Sequence, residues 1–398
     1  MHLDLDCFFA AVEVKLNPAL AGKPVLVGGV NPQGKNVPRG VVATASYEAR
    51  KFGCHSGMPL FQALKLCPDA IVVGGHYEEY MKASQQVMEI AARYAPVIQQ
   101  VGIDEAFLDF SRTEILYPDL QKVAERIRSE VKKEVGITAS IGLAATKVVA
   151  KVASNYNKPD GFTYVPAGSE KEFLYPLPLR DLPGIGSQME KQLVKLIGPN
   201  STVGDFARMP YSAVQEKLGQ GGVNLWNAAN GVDNIWFAPR GPLKKSISRS
   251  ETFYTDRADE SFILAMLRKL TESVGMECRE GGYSGRCVHV AIRYRDFRTV
   301  GRQRVLPYST SITREIYEMG ETLLKELWDQ KTPLRLVGIS LSQFEPECQT
   351  LEPKQMELFN DVDRVREKRL ELEKRIDSLR NKFGKDALVT AAQLKITP

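Results

Sequence analysis

Two short acidic stretches, about a hundred residues apart, carry carboxylates in apolar surroundings. The first contains Asp4 and Asp6 among leucine, cysteine and phenylalanine residues. The second contains the adjacent pair Asp104 and Glu105 between isoleucine, alanine and phenylalanine. Apolar neighbours predict buried strands, and burying ionised carboxylates is costly unless positive charge compensates. If Asp4, Asp104 and Glu105 converge, at least one pKa rises unless divalent cations neutralise the cluster. The pattern favours a two-cation phosphoryl-transfer site.

The backbone around these acids must meet specific geometric conditions. Strand alternation places Asp4 and Asp6 on one face. Asp104 and Glu105 are neighbours, so on a regular strand their side chains diverge. Both reach one metal pair only at a hairpin or bend. An Asp-x-Asp or Asp-Glu pair alone is also typical of surface turns, but the flanking apolar residues argue against that alternative.

The first 165 residues alternate strand-like and helix-like segments. Their apolar patterns predict strands over residues 3–5, 25–27, 41–45, 70–73, 103–110, 137–143 and 161–165. Helical apolar spacing predicts helices over residues 58–67, 77–94 and 120–135. The segment is therefore predicted to be a mixed α/β catalytic region.

The strand signal stops after residue 165. Residues 166–231 predict short helices punctuated by glycine and proline. Residues 230–243, with two glycines and two prolines, predict an exposed linker. Residues 246–343 predict a second α/β unit, and a polar tail follows from residue 345.

Composition excludes several classes of protein. The length of 398 residues predicts two or more domains. Six cysteines form no C-x-x-C pair, which favours free thiols and no structural zinc. No segment resembles a signal peptide, and no apolar run approaches the ~18 residues of a membrane helix. We expect a cytoplasmic protein with no membrane role.

Positive charge concentrates in one segment, although the formal net charge is only +5. From Arg286 to Arg304, six arginines stand against one acid, Asp296. Alternation would place Arg293 and Arg295 on one sheet face, which suits a nucleic-acid phosphate backbone. A solvated outer face explains this segment equally well.

Four motifs occur in the order seen in Y-family translesion DNA polymerases: DLDCFFAAVE at 4–13, YEAR at 47–50, IDEAFLD at 103–109 and KPDG at 158–161. The chain resembles the bacterial DinB type of that family over residues 1–345. The resemblance implies an error-prone, template-directed DNA polymerase that extends a primer with dNTP during DNA damage bypass, without proofreading.

The resemblance also implies an α/β multidomain, right-hand polymerase. It would have a ferredoxin-like palm, small fingers, a helical thumb with a helix-hairpin-helix, and an α/β little finger. The implied boundaries are palm 1–9 and 76–165, fingers 10–75, thumb 166–230, linker 231–243, little finger 244–345 and tail 346–398.

By the same resemblance, Asp4, Asp104 and Glu105 are catalytic residues that hold two Mg²⁺ ions, for which Mn²⁺ can substitute. The backbone carbonyl of Leu5 would be a further ligand to these ions. One ion would lower the pKa of the primer 3′-hydroxyl, and the other would hold the triphosphate. Asp6 is expected to be a structural acid or to support the metal ligands without binding a metal itself.

Four further residues are implied to bind the nucleotide. Tyr47 and Arg50 are spaced i, i+3, so both lie on one side of a helical turn and can meet triphosphate oxygens. Lys158 would add a third contact. Phe9 is similar to the family's steric gate, an aromatic ring under the sugar that rejects a ribose. Without the resemblance, Arg50 and Lys158 would be interpreted as solvated surface charges and Phe9 as a core residue.

Duplex DNA would be held at two places. Residues 182–186, LPGIG, have the form of a helix-hairpin-helix turn, in which Gly184 and Gly186 expose backbone N–H groups to a phosphate. An ordinary turn is the alternative, and residues 218–222 form a weaker second copy. In the implied little finger, the expected phosphate contacts are Arg293, Arg295, Arg298, Arg302 and Arg304.

The tail contains a peptide that resembles the sliding-clamp motif of bacterial polymerases, with Gln355, Leu358 and Phe359 as anchors. The alternative is that this apolar pair folds back on the body of the protein. Residues 362–383 then trace an amphipathic helix of unassigned role. The expected partners are primer-template DNA, dNTP and the clamp, and the expected state is a monomer.

Two other functions compete with polymerisation. A nucleotidyl cyclase also uses paired acids and two metals on a ferredoxin-like sheet, but it needs neither a steric gate nor a clamp peptide. A non-catalytic, clamp-tethered DNA-binding scaffold would not need the three intact acids.

Overall fold

A computed structural model describes residues 1–29, 40–113, 115–233, 244–344, 361–384 and 387–389. The chain divides into two compact units, Met1–Pro242 and Leu243–Pro398. Within the described residues, no helix is both long and apolar enough to cross a membrane. The five cysteines in this part of the chain are free thiols, as the sequence predicts.

Two sheets organise the first unit. Its strands are β1 (His2–Leu5), β2 (Val25–Val27), β3 (Thr44–Ala45), β4 (Ile71–Val73), β5 (Val97–Gln100), β6 (Glu105–Asp109), β7 (Ala139–Leu143) and β8 (Phe162–Tyr164). The larger sheet has the order β5-β6-β1-β7-β8, so β1 lies at its centre. Strand β1 is antiparallel to both β6 and β7. The smaller sheet has the order β3-β2-β4.

Ten α-helices lie in the described part of this unit. They are α1 (Phe8–Leu16), α2 (Tyr47–Arg50), α3 (Leu60–Leu66), α4 (Tyr77–Ala92), α5 (Leu120–Glu130), α6 (Lys147–Tyr156), α7 (Glu170–Leu174), α8 (Ser187–Ile197), α9 (Val203–Ala207) and α10 (Tyr211–Ala229). Helix α5 continues into a π-helical turn, Val131–Val135. The bounds of α3, α4 and α5 lie within a few residues of the predicted helices.

Alternation along the strands separates the core from the site. Leu3 of β1 and Leu108 of β6 are fully buried, in one apolar cluster with Val87 of α4 and Ile127 of α5. Because successive side chains point to opposite faces, Asp4 and the neighbouring odd-numbered residues of β6 lie on the other face. The central sheet therefore presents its acids away from the α4–α5 core.

The first acidic stretch is not one continuous strand. Strand β1 ends at Leu5, and Cys7 takes a left-handed conformation with φ 35°. Helix α1 begins directly afterwards, so Phe8 and Phe9 are helical. The expectation that the apolar surroundings of Asp6 form a strand is wrong, because the chain turns sharply before the two phenylalanines.

The second unit is a four-stranded antiparallel sheet with helices on one face. Its elements are β9 (Ser246–Arg257), α11 (Glu260–Glu280), β10 (Gly285–Tyr294), β11 (Thr299–Thr310), α12 (Thr313–Leu327), β12 (Leu334–Phe344) and α13 (Asp361–Phe383). The sheet order is β11-β10-β12-β9. Val290 of β10 and Ile339 of β12 pack in one core with Leu267 of α11 and Leu323 of α12.

Candidate active site

The strand register brings the predicted acids together. Asp4 of β1 lies directly opposite Glu105 of β6 in the antiparallel ladder. The amide of Leu5, the last residue of β1, donates to the carbonyl of Asp104 at 2.9 Å. Asp104 itself lies in the bend between β5 and β6. The turn that the sequence requires for Asp104 and Glu105 to act at one site is therefore present.

Two lysines pair with these carboxylates. Lys158 donates to Asp4, and Lys151 of α6 donates to Glu105 Oε2 at 2.5 Å. His2 Nε2 lies 3.4 Å from the same Glu105 oxygen. The adjacent His2 ring and then Lys151 lower the pKa of Glu105 to about 2. Glu105 is therefore ionised throughout the physiological range.

Asp104 has the opposite electrostatic environment. Burial, and secondly the charge of Asp4, raise the pKa of Asp104 above its ordinary value. Like charges held close together disfavour ionisation. A cation that contacted both carboxylates would relieve this repulsion.

The carboxylates fit a divalent cation in chemistry, although the described side chains do not enclose one. Hard carboxylate oxygens are the ligands that Mg²⁺ and Mn²⁺ prefer. Yet no group of three or more His, Cys, Asp or Glu residues in the described ranges is arranged to hold a metal. Lys158 and Lys151 instead supply positive charge at Asp4 and Glu105.

Asp6 has a structural environment. Its side chain is 1% exposed. Oδ1 accepts from the Ser140 hydroxyl at 2.8 Å and from the Tyr47 hydroxyl at 3.4 Å, while Oδ2 accepts from the Asp160 amide at 2.8 Å. These bonds connect the turn after β1 with α2, β7 and the loop before β8. The expected structural role of Asp6 agrees with this network.

The KPDG loop is fixed from several sides. Asp160 accepts hydrogen bonds from Arg128 and Lys132, each at 2.8 Å from one carboxylate oxygen. A Cβ on Gly161 would lie 1.9 Å from the carbonyl oxygen of Asn157, so only glycine fits here. The loop thereby holds Lys158 against the acidic cluster.

Tyr47 and Arg50 share one short helix, as the i, i+3 spacing predicts. Ser46 caps α2 by accepting from the Ala49 amide. The Arg50 guanidinium lies 4.9 Å from the centre of the Tyr47 ring, and its Nε donates to the Ala45 carbonyl at 3.0 Å. Burial raises the pKa of the Tyr47 hydroxyl, so this group remains a neutral donor.

Phe9 is half-buried on α1 and stacks on a residue that sequence reasoning missed. The Tyr80 ring lies 4.4 Å from the Phe9 ring, centre to centre, at 13° between planes. The Tyr80 hydroxyl donates to Glu13, which is buried and also contacts His76 Nδ1 at 3.0 Å. Phe9 thus rests on a ring with its own polar anchor.

The predicted helix-hairpin-helix turn precedes α8. Gly184 has φ +94°, and a Cβ there would lie 2.8 Å from Leu225 Cδ2. Gly186 is the N-cap residue of α8, and no described side chain caps this helix. Its first amides therefore remain available to an anion. The weaker second copy lies inside α10, where Gly219 kinks the helix with φ 64°.

A largely apolar cavity of about 840 Å³ lies between the central sheet and this turn. Its lining includes Phe107, Lys147, Lys151, Gly184 and Leu225. Lys151 therefore touches both Glu105 and the cavity. No direct sequence signal marks Lys151 beyond its i, i+4 spacing from Lys147 on α6.

The arginine cluster of the second unit separates into two groups. Arg302 and Arg304 each lie 2.9 Å from Glu326 of α12, on the side of the sheet that the helices cover. The other three lie at the β10–β11 hairpin: Arg293, Arg295 and Arg298. Strand β10 ends at Tyr294, so Arg295 lies in the turn, and the expectation that Arg293 and Arg295 share a strand face is wrong.

Two of the hairpin arginines have local contacts. Arg293 Nε donates to Thr299 Oγ1 at 2.8 Å, and the Arg298 guanidinium lies 4.6 Å from the centre of the Tyr294 ring. The clamp-peptide anchors Gln355, Leu358 and Phe359 lie outside the described residues.

Comparison with known proteins identifies the family. The sequence profile of the impB/mucB/samB family matches residues 3–155, and that of its C-terminal domain matches residues 244–358. The profile of the DNA polymerase-iota thumb domain matches residues 180–233. DNA polymerase IV of Dehalococcoides mccartyi is 39% identical over 398 residues, 100% of this chain and 97% of that relative.

This chain belongs to the Y-family of DNA polymerases. DNA polymerase IV of Caulobacter vibrioides is 35% identical over 395 residues, 99% of this chain and 94% of that relative. Among solved structures, a Y-family DNA polymerase chimera matches with a TM-score of 0.75 at 28% identity, over 86% of this chain and 98% of that one. The insertion ternary complex of Dbh DNA polymerase matches with a TM-score of 0.59 at 25% identity, over 86% and 98% respectively.

Membership of this family confirms the predicted fold and activity. The Y-family chain has the right-hand polymerase architecture and is a DNA-directed DNA polymerase. Y-family DNA polymerases depend on a divalent metal. The cyclase and the non-catalytic scaffold are thereby excluded.

Proposed function

We propose that this Y-family polymerase transfers nucleotides by a two-Mg²⁺ mechanism centred on Asp4, Asp104 and Glu105, with the Leu5 carbonyl as a further ligand. The observation that carries the proposal is the β1–β6 register, in which Asp4 is opposite Glu105 and the Leu5 amide bonds to Asp104. When bound, the two cations would activate the primer 3′-hydroxyl and neutralise the triphosphate, and Mn²⁺ would serve in their place.

Two lysines near the carboxylates would also take part. Lys158 and Lys151 balance Asp4 and Glu105 before substrate arrives. With cations bound at these carboxylates, the Lys158 ammonium would be available to hold triphosphate oxygens. The Tyr47 hydroxyl and the Arg50 guanidinium would donate to the same phosphates, with Asp6 keeping Tyr47 in place.

Sugar selection is assigned to Phe9. Because its ring is stacked on Tyr80, which is anchored by Glu13, Phe9 has little freedom to move away from a 2′-hydroxyl. Phe9→Ala is therefore expected to incorporate ribonucleotides readily. An unchanged preference for deoxynucleotides in primer extension would disprove this role.

Both units would bind DNA. The domains are assigned as the sequence predicts: palm 1–9 and 76–165, fingers 10–75, thumb 166–230, linker 231–243, little finger 244–345 and tail 346–398. The turn at Gly184 and Gly186 would offer amides to a primer-template phosphate. Of the little-finger arginines, Arg293, Arg295 and Arg298 are the better candidates, since Glu326 already pairs with the other two.

Processivity would come from the tail. Gln355, Leu358 and Phe359 are proposed to dock on a sliding clamp, in support of error-prone damage bypass by a monomer without proofreading. Apolar anchors such as the last two are typical hot spots of an interface. Loss of clamp-stimulated extension in Leu358→Ala with Phe359→Ala, at unchanged basal extension, is the expected result.

Single-nucleotide primer extension tests the catalytic assignment. Asp104→Asn keeps the volume of the side chain but removes its charge. A metal-supported step is worth several kcal/mol, so the rate should fall by at least about a hundredfold. Asp69→Asn, at an exposed acid of the same unit, is the matched control. Near-normal extension by Asp104→Asn would refute the mechanism.

A further inference from the structure

The tail helix α13 contacts the rest of the second unit through a face rich in charged residues. The Arg279 side chain is only 4% exposed. It binds Asp377 of α13 through two bonds, Nε to Oδ2 at 2.6 Å and Nη2 to Oδ1 at 3.0 Å. Glu373 of α13 accepts from the Thr313 amide at 2.9 Å. Removing one partner of a buried charge pair is strongly destabilising, so this attachment is firm.

The attachment continues along the helix. Arg366 Nε donates to Glu315 Oε1 at 2.8 Å. At the other end, Arg380 Nη2 donates to Glu272 Oε2 at 2.8 Å. Ion pairs thus hold α13 from Arg366 to Arg380. The orientation of α13 about its own axis is fixed, and so is the face that it turns outward.

The outward face has a regular chemical pattern. Apolar residues recur every seven positions, and each is followed three positions later by a basic residue. The apolar set is Val365, Leu372 and Leu379, exposed by 46%, 58% and 44%, and the basic set is Lys368, Arg375 and Lys382. Phe383, 65% exposed, extends the apolar stripe. Amphipathic helices normally turn their apolar residues inward, and on α13 Leu370 and Ile376 are half-buried whereas this stripe is exposed.

The basic residues of the stripe have few partners. Arg375 pairs with Glu371 one turn earlier, at 2.6 Å. Within the described part of the chain, neither Lys368 nor Lys382 takes part in an ion pair. A single exposed leucine needs no explanation. A stripe in which apolar and basic residues each recur every seven positions, however, resembles one half of a helix–helix interface.

We propose that this face of α13 docks an acidic amphipathic helix of a partner protein. The partner would present apolar residues to Val365, Leu372 and Leu379, and carboxylates to Lys368 and Lys382. Charge complementarity selects this occupant. A second copy of α13 would oppose lysine to lysine. DNA phosphates would leave the apolar positions in water, and the narrow stripe is unlike the broad apolar face of membrane-bound helices.

Fluorescence anisotropy on the full chain tests the proposal. The probe is a labelled three-heptad helical peptide with leucine at every a position and glutamate at every d position, and the control peptide has lysine at d. The full chain is expected to bind the acidic peptide and not the basic one. Leu372→Ser with Leu379→Ser should weaken binding at least about tenfold.

A charge pair provides the matched control. Lys368→Ser with Lys382→Ser should weaken binding and flatten its salt dependence, whereas Lys374→Ser, exposed on α13 but off the stripe, should change affinity less than about twofold. The lysine variants keep the proposal testable if the leucine variant fails to fold.

Several results would overturn the proposal. One is equal binding of the acidic and basic peptides, and another is equal weakening of binding in all three variants. A third is self-association that Leu372→Ser with Leu379→Ser abolishes, which would assign the face to a second copy. Binding of anionic vesicles or duplex DNA that the leucine variant weakens, without binding of the acidic peptide, would assign it to those surfaces.

Discussion

Asp6→Ala separates a structural acid from a catalytic one. Asp6 is buried beside the proposed metal ligands, yet both of its oxygens are used by protein donors. The substitution leaves the Ser140 hydroxyl and the Asp160 amide without an acceptor and releases the Tyr47 hydroxyl. Its main effect should therefore be on stability and on nucleotide binding.

The magnitude follows from these hydrogen bonds. A buried donor left unpaired costs about 1–3 kcal/mol, so the destabilisation at Ser140 and Asp160 together is roughly 2–6 kcal/mol. One kcal/mol shifts the unfolding midpoint of a unit of this size by about 2–4 °C. Thermal unfolding should occur roughly 5–20 °C lower in Asp6→Ala than in the unmodified chain.

Circular dichroism and steady-state extension form the assay. At a temperature where the variant remains folded, KM for dNTP should rise several-fold because Tyr47 has no acceptor, while kcat changes less. Asp69→Ala, at an exposed turn, should alter stability by less than about 0.5 kcal/mol. An Asp6→Ala variant with an unchanged midpoint and no catalysis would disprove the structural role and make Asp6 a metal ligand.

Three further predictions concern the support of Phe9, the Cys7 thiol and the β10–β11 hairpin. Tyr80→Leu removes a ring whose stacking on Phe9 is worth about 0.5–1.5 kcal/mol. Ribonucleotide incorporation in primer extension should therefore rise several-fold. An unchanged ratio of ribonucleotide to deoxynucleotide incorporation would contradict the idea that Tyr80 holds Phe9 in place. Burial raises the pKa of the Cys7 thiol to about 11, so at pH 8 only about a thousandth of this thiol is ionised. Alkylation of Cys7, followed by mass spectrometry, should therefore be slow at pH 8 and should accelerate as the pH rises towards 11. Fast labelling at pH 8 would contradict the burial of Cys7. Arg293→Ser with Arg298→Ser should flatten the salt dependence of DNA binding by about 0.9 for each phosphate that is no longer neutralised, and a constant slope would remove both from the interface.

Local pattern predicted much of the fold. The periodicity of residues 77–94 and 120–135 indicated α4 and α5, and the Asp104–Glu105 neighbours required the bend that is present. These features depend on a few consecutive residues. Local sequence features therefore carried enough information to indicate these two helices and the bend beside Glu105.

Pairings between distant segments could not be predicted in this way. Lys151 and Glu105 are 46 positions apart, and their pairing depends on α6 crossing the central sheet. Tyr80 reaches Phe9 only because α4 packs beside α1. The left-handed conformation of Cys7, at the turn from β1 into α1, could not be predicted either, because a non-glycine residue with positive φ has no reliable sequence signal. The outward apolar stripe of α13 depends on ion pairs that its amphipathic pattern does not encode.

Anomalous diffraction provides the sharpest test of the proposal that Asp4, Asp104 and Glu105 hold two divalent cations. The crystals would contain the chain with primer-template DNA, a non-hydrolysable dNTP and Mn²⁺. We predict two Mn²⁺ peaks about 3.5–4 Å apart, bound by these three carboxylates, with Lys158 moved from Asp4 to the triphosphate. Peaks absent from this cluster, or a Mn²⁺ ion bound to Asp6, would contradict the proposal.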